Sequence, residues 1–457
     1  MLTGLITRLV GWAASIFYEV ERTGPELADG PVLVVANHPN ALVDPLVVFR
    51  TGRRPSRPLA KAPLFDHALV GTVLRGLGGL PVYRREDDPG QMHRNERTFD
   101  AAVAALTRGE AVQIYPEGHS HSEPALAPLR TGAARIALQA EADAGWTLGL
   151  RVQAVGLTYS RKEFFGGRVV AAWGAPFRVS EWRDAYEPRP RQAVSALTER
   201  IRTELEARML TLERPEDREL VEVAERLYAR EKQLAGWREP GSMADRLPRL
   251  RGFALGLSWL RANDPERLDA LVVSVRRYVR LLSVFGASDG DVPPRYEVTT
   301  VVLWLVRQIA TVVIGLPVAV AGIVLWAPPY LFSRHVTPMF RPKADQVASY
   351  KLGAGLVAFP VWLILLSVAS FLTWGVRGLV ICVFVAPLVG LLTAAWRQWG
   401  SRAGEDVLVW WRALRRREER DRMAAIRSAL VQEFDAVGRL LRAGGRPSSA
   451  GDGGGVP

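Results

Sequence analysis

Two short stretches hold the side chains best placed for acid–base and anion chemistry. In the first, VVANHPNALVDP from Val34 to Pro45, Asn37 and His38 follow a β-rich apolar run, and Asp44-Pro45 marks the opening of a helix. Imidazole titrates near neutral pH and can take a proton from a hydroxyl, while a carboxylate can hold the other ring nitrogen and favour the imidazolium that forms. Plainer readings exist for the same residues. A histidine after a strand often caps or packs, and Asp before Pro is a common helix N-cap. Because five residues separate His38 from Asp44, pairing requires a tightly folded loop.

The second stretch, IYPEGHSHSEPALAPLRTGAARIAL from Ile114 to Leu138, ends a strand at Tyr115, turns at Pro116-Glu117-Gly118 and leads through Arg130-Thr131-Gly132 into a helix. Gly118 and Gly132 remove side chains where backbone could approach a phosphate, and Arg130 adds a cation. His119 and His121 beside Glu117 could form a metal site, but no other ligand has suitable spacing, so no metal is assigned.

The surrounding text indicates how these stretches are held. PVLVVA (31–36), AVQIY (111–115), RVQAVGLTY (151–159) and RVVAAWG (168–174) are expected strands, with helices around 44–49, 99–107 and 132–141. Such alternation predicts an α/β fold, a mixed and mainly parallel sheet flanked by helices, and ligand sites lie at the carboxyl ends of strands in open sheets of this kind. Residues 1–25 read as an amphipathic membrane-interface helix, 26–185 as the catalytic domain and 186–298 as a helical region. Val194, Leu197, Ile201, Leu205 and Met209 repeat there at helical spacing, and Asp264-Pro265 caps a later helix.

Residues 299–397 form an expected membrane region. Ile309 to Phe332, Leu352 to Val376 and Gly378 to Trp396 are uncharged runs of 24, 25 and 19 residues, against the ~20 that a spanning helix requires. Only Arg377 separates the last two, which predicts a hairpin with an outward tip. Gly315 and Pro317 are the expected break of a re-entrant first segment, the alternative being three plain crossings. Residues 398–445 read as a basic amphipathic helix with Met423, Ile426, Leu430, Phe434, Val437 and Leu441 on one stripe, and 446–457 as a flexible tail.

The 457 residues carry a formal net charge of +12 and one cysteine, Cys382, in an apolar run. A disulfide scaffold and a cysteine metal cluster are thereby excluded. The charge permits anionic lipid or a phosphorylated substrate. Nucleic acid is not expected as a partner, because the arginines are dispersed through helices without an aromatic-basic module.

In order and separation, these blocks resemble those of the glycerolipid acyltransferase superfamily. That superfamily is marked by an Asn-His-x(4)-Asp block, a Gly…Arg block, a Phe-Pro-Glu-Gly-x-x-Ser block and an apolar block with proline. They are matched here by Asn37-His38 to Asp44, Gly79 to Arg84, Tyr115 to Ser120 and Val152 to Tyr159. Ser120-His121, Ala127-Pro128-Leu129-Arg130, the Val155 to Tyr159 strand and Lys61 look most like the fungal and bacterial glycerol-3-phosphate/dihydroxyacetone-phosphate acyltransferases. This chain departs from the pattern in one extra residue before Asp44, Tyr115 in place of Phe, Arg130 in place of Lys and Ala154 in place of proline.

The resemblance implies a membrane-bound O-acyltransferase. It would move a fatty acyl group from acyl-CoA or acyl carrier protein, as co-substrate and without a further cofactor, to glycerol 3-phosphate, dihydroxyacetone phosphate or 1-acylglycerol 3-phosphate. His38 would be general base and Asp44 its orienter. Lys61, Arg84, Glu117, Gly118, Ser120 and Arg130 would bind the glycerol phosphate, with Glu117 holding Arg84 or a glycerol hydroxyl, since carboxylate repels phosphate. The implied setting is a bacterial inner membrane with the catalytic part cytoplasmic. Lysophospholipid remodelling and a non-catalytic membrane scaffold are the alternatives.

Overall fold

The computed structural model describes the chain except residues 1–3, 5, 8–10, 12, 16, 17, 85–88, 161–166, 233, 235–241, 285–297, 341–346, 416 and 444–457. Short apolar runs rich in valine and alanine form the central strands β2 (Val32–Ala36), β5 (Ala111–Ile114) and β6 (Arg151–Tyr159). They join β1 (Tyr18–Thr23), β3 (Ser56–Lys61), β4 (Leu80–Val82), β7 (Gly167–Trp173) and β8 (Phe177–Arg178). The sheet order is β1-β7-β6-β2-β5-β3-β4, with β8 paired to β6. All pairs are parallel except β6 with β7 and with β8. The expected mixed, mainly parallel α/β sheet is therefore what the chain forms.

Period-two alternation sends β2 side chains to two cores. Leu33 and Val35 pack with Ala102 and Leu106 of α3 (Asn95–Thr107), Ile136 and Leu138 of α4 (Gly132–Asp143) and Leu197 of α5 (Pro190–Glu206). Val32 and Val34 pack on the opposite face with Val47 and Val48 of α1 (Val43–Gly52). Each fully buried side chain of this size contributes about 1.5–3 kcal/mol. Buried on both faces, the strands read as continuous apolar runs, which made them visible in the sequence.

Where the local sequence signals are weaker, the structure differs. β1 occupies residues expected to end an N-terminal helix, and Tyr18 is buried at its start. Much of the helix expected before it lies outside the described residues. β3 and β4, with α2 (Ala68–Gly76) between them in the chain, are short and interrupted by Pro58 and Pro81, so β3 depends on pairing with β5, and β4 on pairing with β3, rather than on their own pattern.

Beyond the sheet the chain is helical. α6 (Asp217–Glu231), α7 (Met243–Asn263), α8 (Pro265–Val284) and the later α11 (Arg417–Ala443) form one bundle, with Leu227, Tyr278, Val431 and Phe434 in a shared core. Asp264 caps α8 by accepting the Arg267 N–H at 3.1 Å. The stripe read on residues 423–441 is thus a packed face.

Between α8 and α11 lie α9 (Val298–Met339) and α10 (Val347–Arg415). Gly315–Met339 and Gly353–Thr393 are long and apolar enough to cross a membrane, and only 17% and 11% of their most apolar windows are buried, unlike the core helix of a soluble protein. α10 doubles back at Gly375, whose φ of 62° is the left-handed conformation that glycine tolerates. Ser367 Oγ consequently lies 3.8 Å from Cys382 Sγ, fifteen residues on. The hairpin expected around Arg377 is present. By contrast, α9 runs as one helix through Gly315 and Pro317, so the expected break there does not occur.

At the end of β2, the buried Asn37 ties two strands together. Its Nδ2 donates to Leu157 O at 3.0 Å and its Oδ1 accepts the Leu157 N–H at 2.7 Å. Asn37→Ala leaves both backbone groups of Leu157 without these partners, at about 1–3 kcal/mol for each group left unsatisfied. Thermal unfolding of the full chain in detergent is expected at a clearly lower Tm; an unchanged Tm would contradict the clamp.

Candidate active site

Four neighbouring parallel strands end on one edge of the sheet, and each is followed at once by residues singled out above. Asn37 and His38 follow β2, Tyr115 to Gly118 follow β5, Lys61 is the last residue of β3, and Tyr83-Arg84 follow β4. Lys61 pairs in register with Val82, placing it beside the strand that leads to Arg84. Blocks separated by up to eighty residues of sequence therefore meet at the carboxyl edge.

The extra residue between His38 and Asp44 is absorbed in the loop. Ala41 takes a φ of 35°, unusual for a residue with a Cβ, and the Val43 N–H returns to Asn40 O at 2.9 Å. α1 begins at Val43, so Asp44 lies in its first turn rather than at the cap. Asp44 Oδ2 is 2.8 Å from His38 Nδ1 and accepts the Asn40 N–H at 2.7 Å, while Oδ1 accepts the Tyr159 hydroxyl at 2.7 Å. The carboxylate is fully buried and the imidazole 18% exposed. With Nδ1–H donating to Asp44, Nε2 carries the ring's free lone pair.

Aromatic rings wall this pair. His38 stacks on Tyr115 with ring centroids 4.1 Å apart, and Tyr159 meets Tyr18 edge-on at 5.3 Å. Tyr18 Oη in turn accepts from Asn40 Nδ2 at 3.1 Å. Burial, followed by the nearby Asp44 charge, pushes the Tyr115 and Tyr159 hydroxyls well above the usual phenol range. Tyr159 thus stays protonated and able to donate to Asp44.

Glu117 is placed otherwise than expected. The Pro-Glu-Gly turn folds its carboxylate inward, where it is 1% exposed. Oε1 accepts the His38 N–H at 2.7 Å, and Oε2 accepts the Ala127 N–H at 2.8 Å as well as pairing with His121 Nε2. These backbone and imidazole donors, not Arg84 or an exposed face, occupy the carboxylate. Arg84 instead donates from Nη1 to Gly118 O at 3.0 Å, and the Asn95 side chain steadies the preceding residue by bonding both the N–H and the C=O of Tyr83 at 2.9 and 2.6 Å.

Gly118 has a φ of 77°, and a Cβ added there would lie 2.5 Å from Arg130 Nε. The positive φ favours glycine at this turn, and its missing Cβ lets the Arg130 guanidinium lie against it. The Arg130 N–H bonds Pro116 O at 2.7 Å, which brings the start of α4 up to this turn. Ser120 is half-buried, whereas Arg130 and Lys61 are exposed. The structure gathers His38, Asp44, Arg84, Gly118 and Arg130 at one edge, a base beside cations and a helix N-terminus. Sequence reasoning did not single out Asn40 or Tyr159 as partners of Asp44, because nothing local says that β6 lies beside β2.

Residues 18–157 match the model of the Acyltransferase family. Among curated relatives, the chain is 26% identical over 299 residues to glycerol-3-phosphate O-acyltransferase 2 of Saccharomyces cerevisiae, a stretch covering 60% of this chain and 38% of that protein. It is 23% identical over 428 residues to an uncharacterized acyltransferase of Schizosaccharomyces pombe, covering 73% of this chain and 60% of that one. The chain thus spans less than two thirds of either relative. The solved 1-acyl-sn-glycerophosphate acyltransferase of Thermotoga maritima aligns with a TM-score of 0.34 and 22% identity, over 45% of this chain and 80% of that one.

Tyr159→Phe removes one donor from a carboxylate that no water reaches. The full chain is expected to melt at a lower temperature in detergent, by an amount corresponding to about 1–3 kcal/mol. A variant with the Tm of the parent would mean that Asp44 does not depend on this hydroxyl.

Proposed function

We propose that the chain is a glycerolipid-type O-acyltransferase that moves a fatty acyl group from an acyl thioester to a hydroxyl of a glycerol phosphate, either glycerol 3-phosphate, dihydroxyacetone phosphate or 1-acylglycerol 3-phosphate. The observation that carries this reading is the His38–Asp44 pair, held at 2.8 Å on the same sheet edge as the Arg84 and Arg130 guanidiniums. The match of residues 18–157 to the Acyltransferase family model supports the reaction class.

In this mechanism His38 Nε2 takes the proton from the acceptor hydroxyl, and that oxygen attacks the thioester carbonyl. Asp44 keeps the Nδ1–H tautomer and stabilises the imidazolium, as the orienting carboxylate of a triad does. The tetrahedral intermediate collapses with loss of thiolate, which takes the proton back from the imidazolium. No acyl-enzyme is needed. Arg84 and Arg130, with the N-terminus of α4, bind the phosphate, since two guanidiniums and a helix N-terminus favour a dianion. Lys61, Gly118 and Ser120 complete the proposed acceptor site.

We assign the apolar arms of α9 and α10 to a bilayer. Three arms, α9 and the two halves of α10 on either side of Gly375, leave many large apolar side chains exposed, including Leu372, Trp374 and Phe384. A long acyl chain gains ~0.8 kcal/mol for each CH₂ kept from water, so donor and product stay with the bilayer while the head group is processed beside it. The curated relatives are yeast proteins, and they lend no support to a bacterial inner membrane.

Purified full-length protein in detergent, given labelled acyl-CoA and each of the three acceptors in turn, is expected to acylate at least one. His38→Ala should lower turnover by about 10²–10⁴-fold at unchanged expression, and full activity in that variant would remove His38 from its role. Arg84→Ala should raise the acceptor's KM more than the donor's; an equal rise in both would show that Arg84 does not grip the phosphate.

A further inference from the structure

We propose that His121 is a positioning residue for the acyl transfer assigned above: through the buried carboxylate of Glu117 it fixes the peptide that presents His38. The proposal rests on that assignment and deepens it. His38 is held by its backbone on both sides. Its N–H donates to Glu117 Oε1 at 2.7 Å, and its C=O accepts the His121 N–H at 3.1 Å. The His121 ring, through Nε2, also pairs with Glu117 Oε2, which accepts the Ala127 N–H at 2.8 Å. Residues 37–42 and 116–130 are separate loops after different strands, and these contacts join them around one carboxylate.

The chemistry of Glu117 explains why His121 matters. A carboxylate that is 1% exposed needs its lone pairs filled by protein donors, and here two backbone N–H groups and one imidazole supply them. Without the imidazole, the charge has lost a donor and cannot turn to water. It then settles on the remaining donors in a new orientation, and the His38 N–H loses its fixed partner. The His38 side chain still has Asp44 and the Tyr115 ring, but its backbone anchor has moved. Misplacement of about 1 Å in such a group can cost up to ~10²-fold in rate.

A positioning role differs from acceptor binding in what it changes. His121→Leu and His121→Asn, the latter too short to reach Glu117 and free of a new apolar side chain, are expected to lower kcat by about tenfold or more. The KM of donor and of acceptor should stay within about twofold. His121→Gln keeps an N–H that can reach Glu117 and should restore most of kcat. A second readout needs no turnover. With only six histidines in the chain, the low-field Nδ1–H signal of ¹⁵N-histidine-labelled protein can be assigned to His38 by its loss in His38→Ala. That signal should shift or broaden with Leu and with Asn at 121 and persist with Gln.

Full activity with Leu and Asn, a rise in acceptor KM at constant kcat, or an unmoved His38 signal would overturn the proposal. If the parent chain acylates none of the three acceptors, the reaction assignment falls, while the resonance comparison still decides whether His121 positions His38.

Discussion

A carboxylate removed from water must find its hydrogen bonds in the protein, and in this fold Asp44 is the group for which the surroundings are arranged. Its side chain is fully buried, and its two oxygens receive an imidazole, a backbone N–H and a phenol. An unpaired charge in that position would cost several kcal/mol. The donors arrive from the loop after β2 and from the end of β6, so the full set is assembled only if those strands are neighbours. The tight turn at Ala41 and the buried hydroxyl of Tyr159 both serve this one carboxylate.

Glu117 answers the same constraint differently. Asp44 is satisfied largely by side chains around one imidazole; Glu117 is satisfied by peptide N–H groups from two loops and by a second imidazole. One carboxylate orients a ring and the other holds backbone. With both acids turned inward, Glu117 can sit in the turn proposed to bind phosphate without presenting its own charge to the anion.

The central strands and their helices were legible because double-sided burial writes continuous apolar runs, and the hairpin was legible because a lone Arg377 interrupts a long uncharged stretch. β3 and β4 were not, since prolines and polar residues dilute a pattern that only pairing of β3 with β5 and of β4 with β3 completes. In the site, His38 and Asp44 could be read as a pair from type and spacing, although the extra residue left their distance open until the loop was seen. The inward turn of Glu117 could not be read, because its partners at His38 and Ala127 lie in separate blocks. Tyr159 was quoted only as part of a strand, and its bond to Asp44 follows from sheet order, which no local pattern encodes.

The helix from Arg417 to Ala443 finishes a core begun some two hundred residues earlier, where Leu227 and Tyr278 await Val431 and Phe434. During synthesis the ribosome must therefore make all three apolar arms before the bundle can close. Until then the inner faces of α6, α7 and α8 stay uncovered, open to chaperones or to premature association. The order of emergence couples completion of the bundle to synthesis of the long apolar segments that precede its last helix.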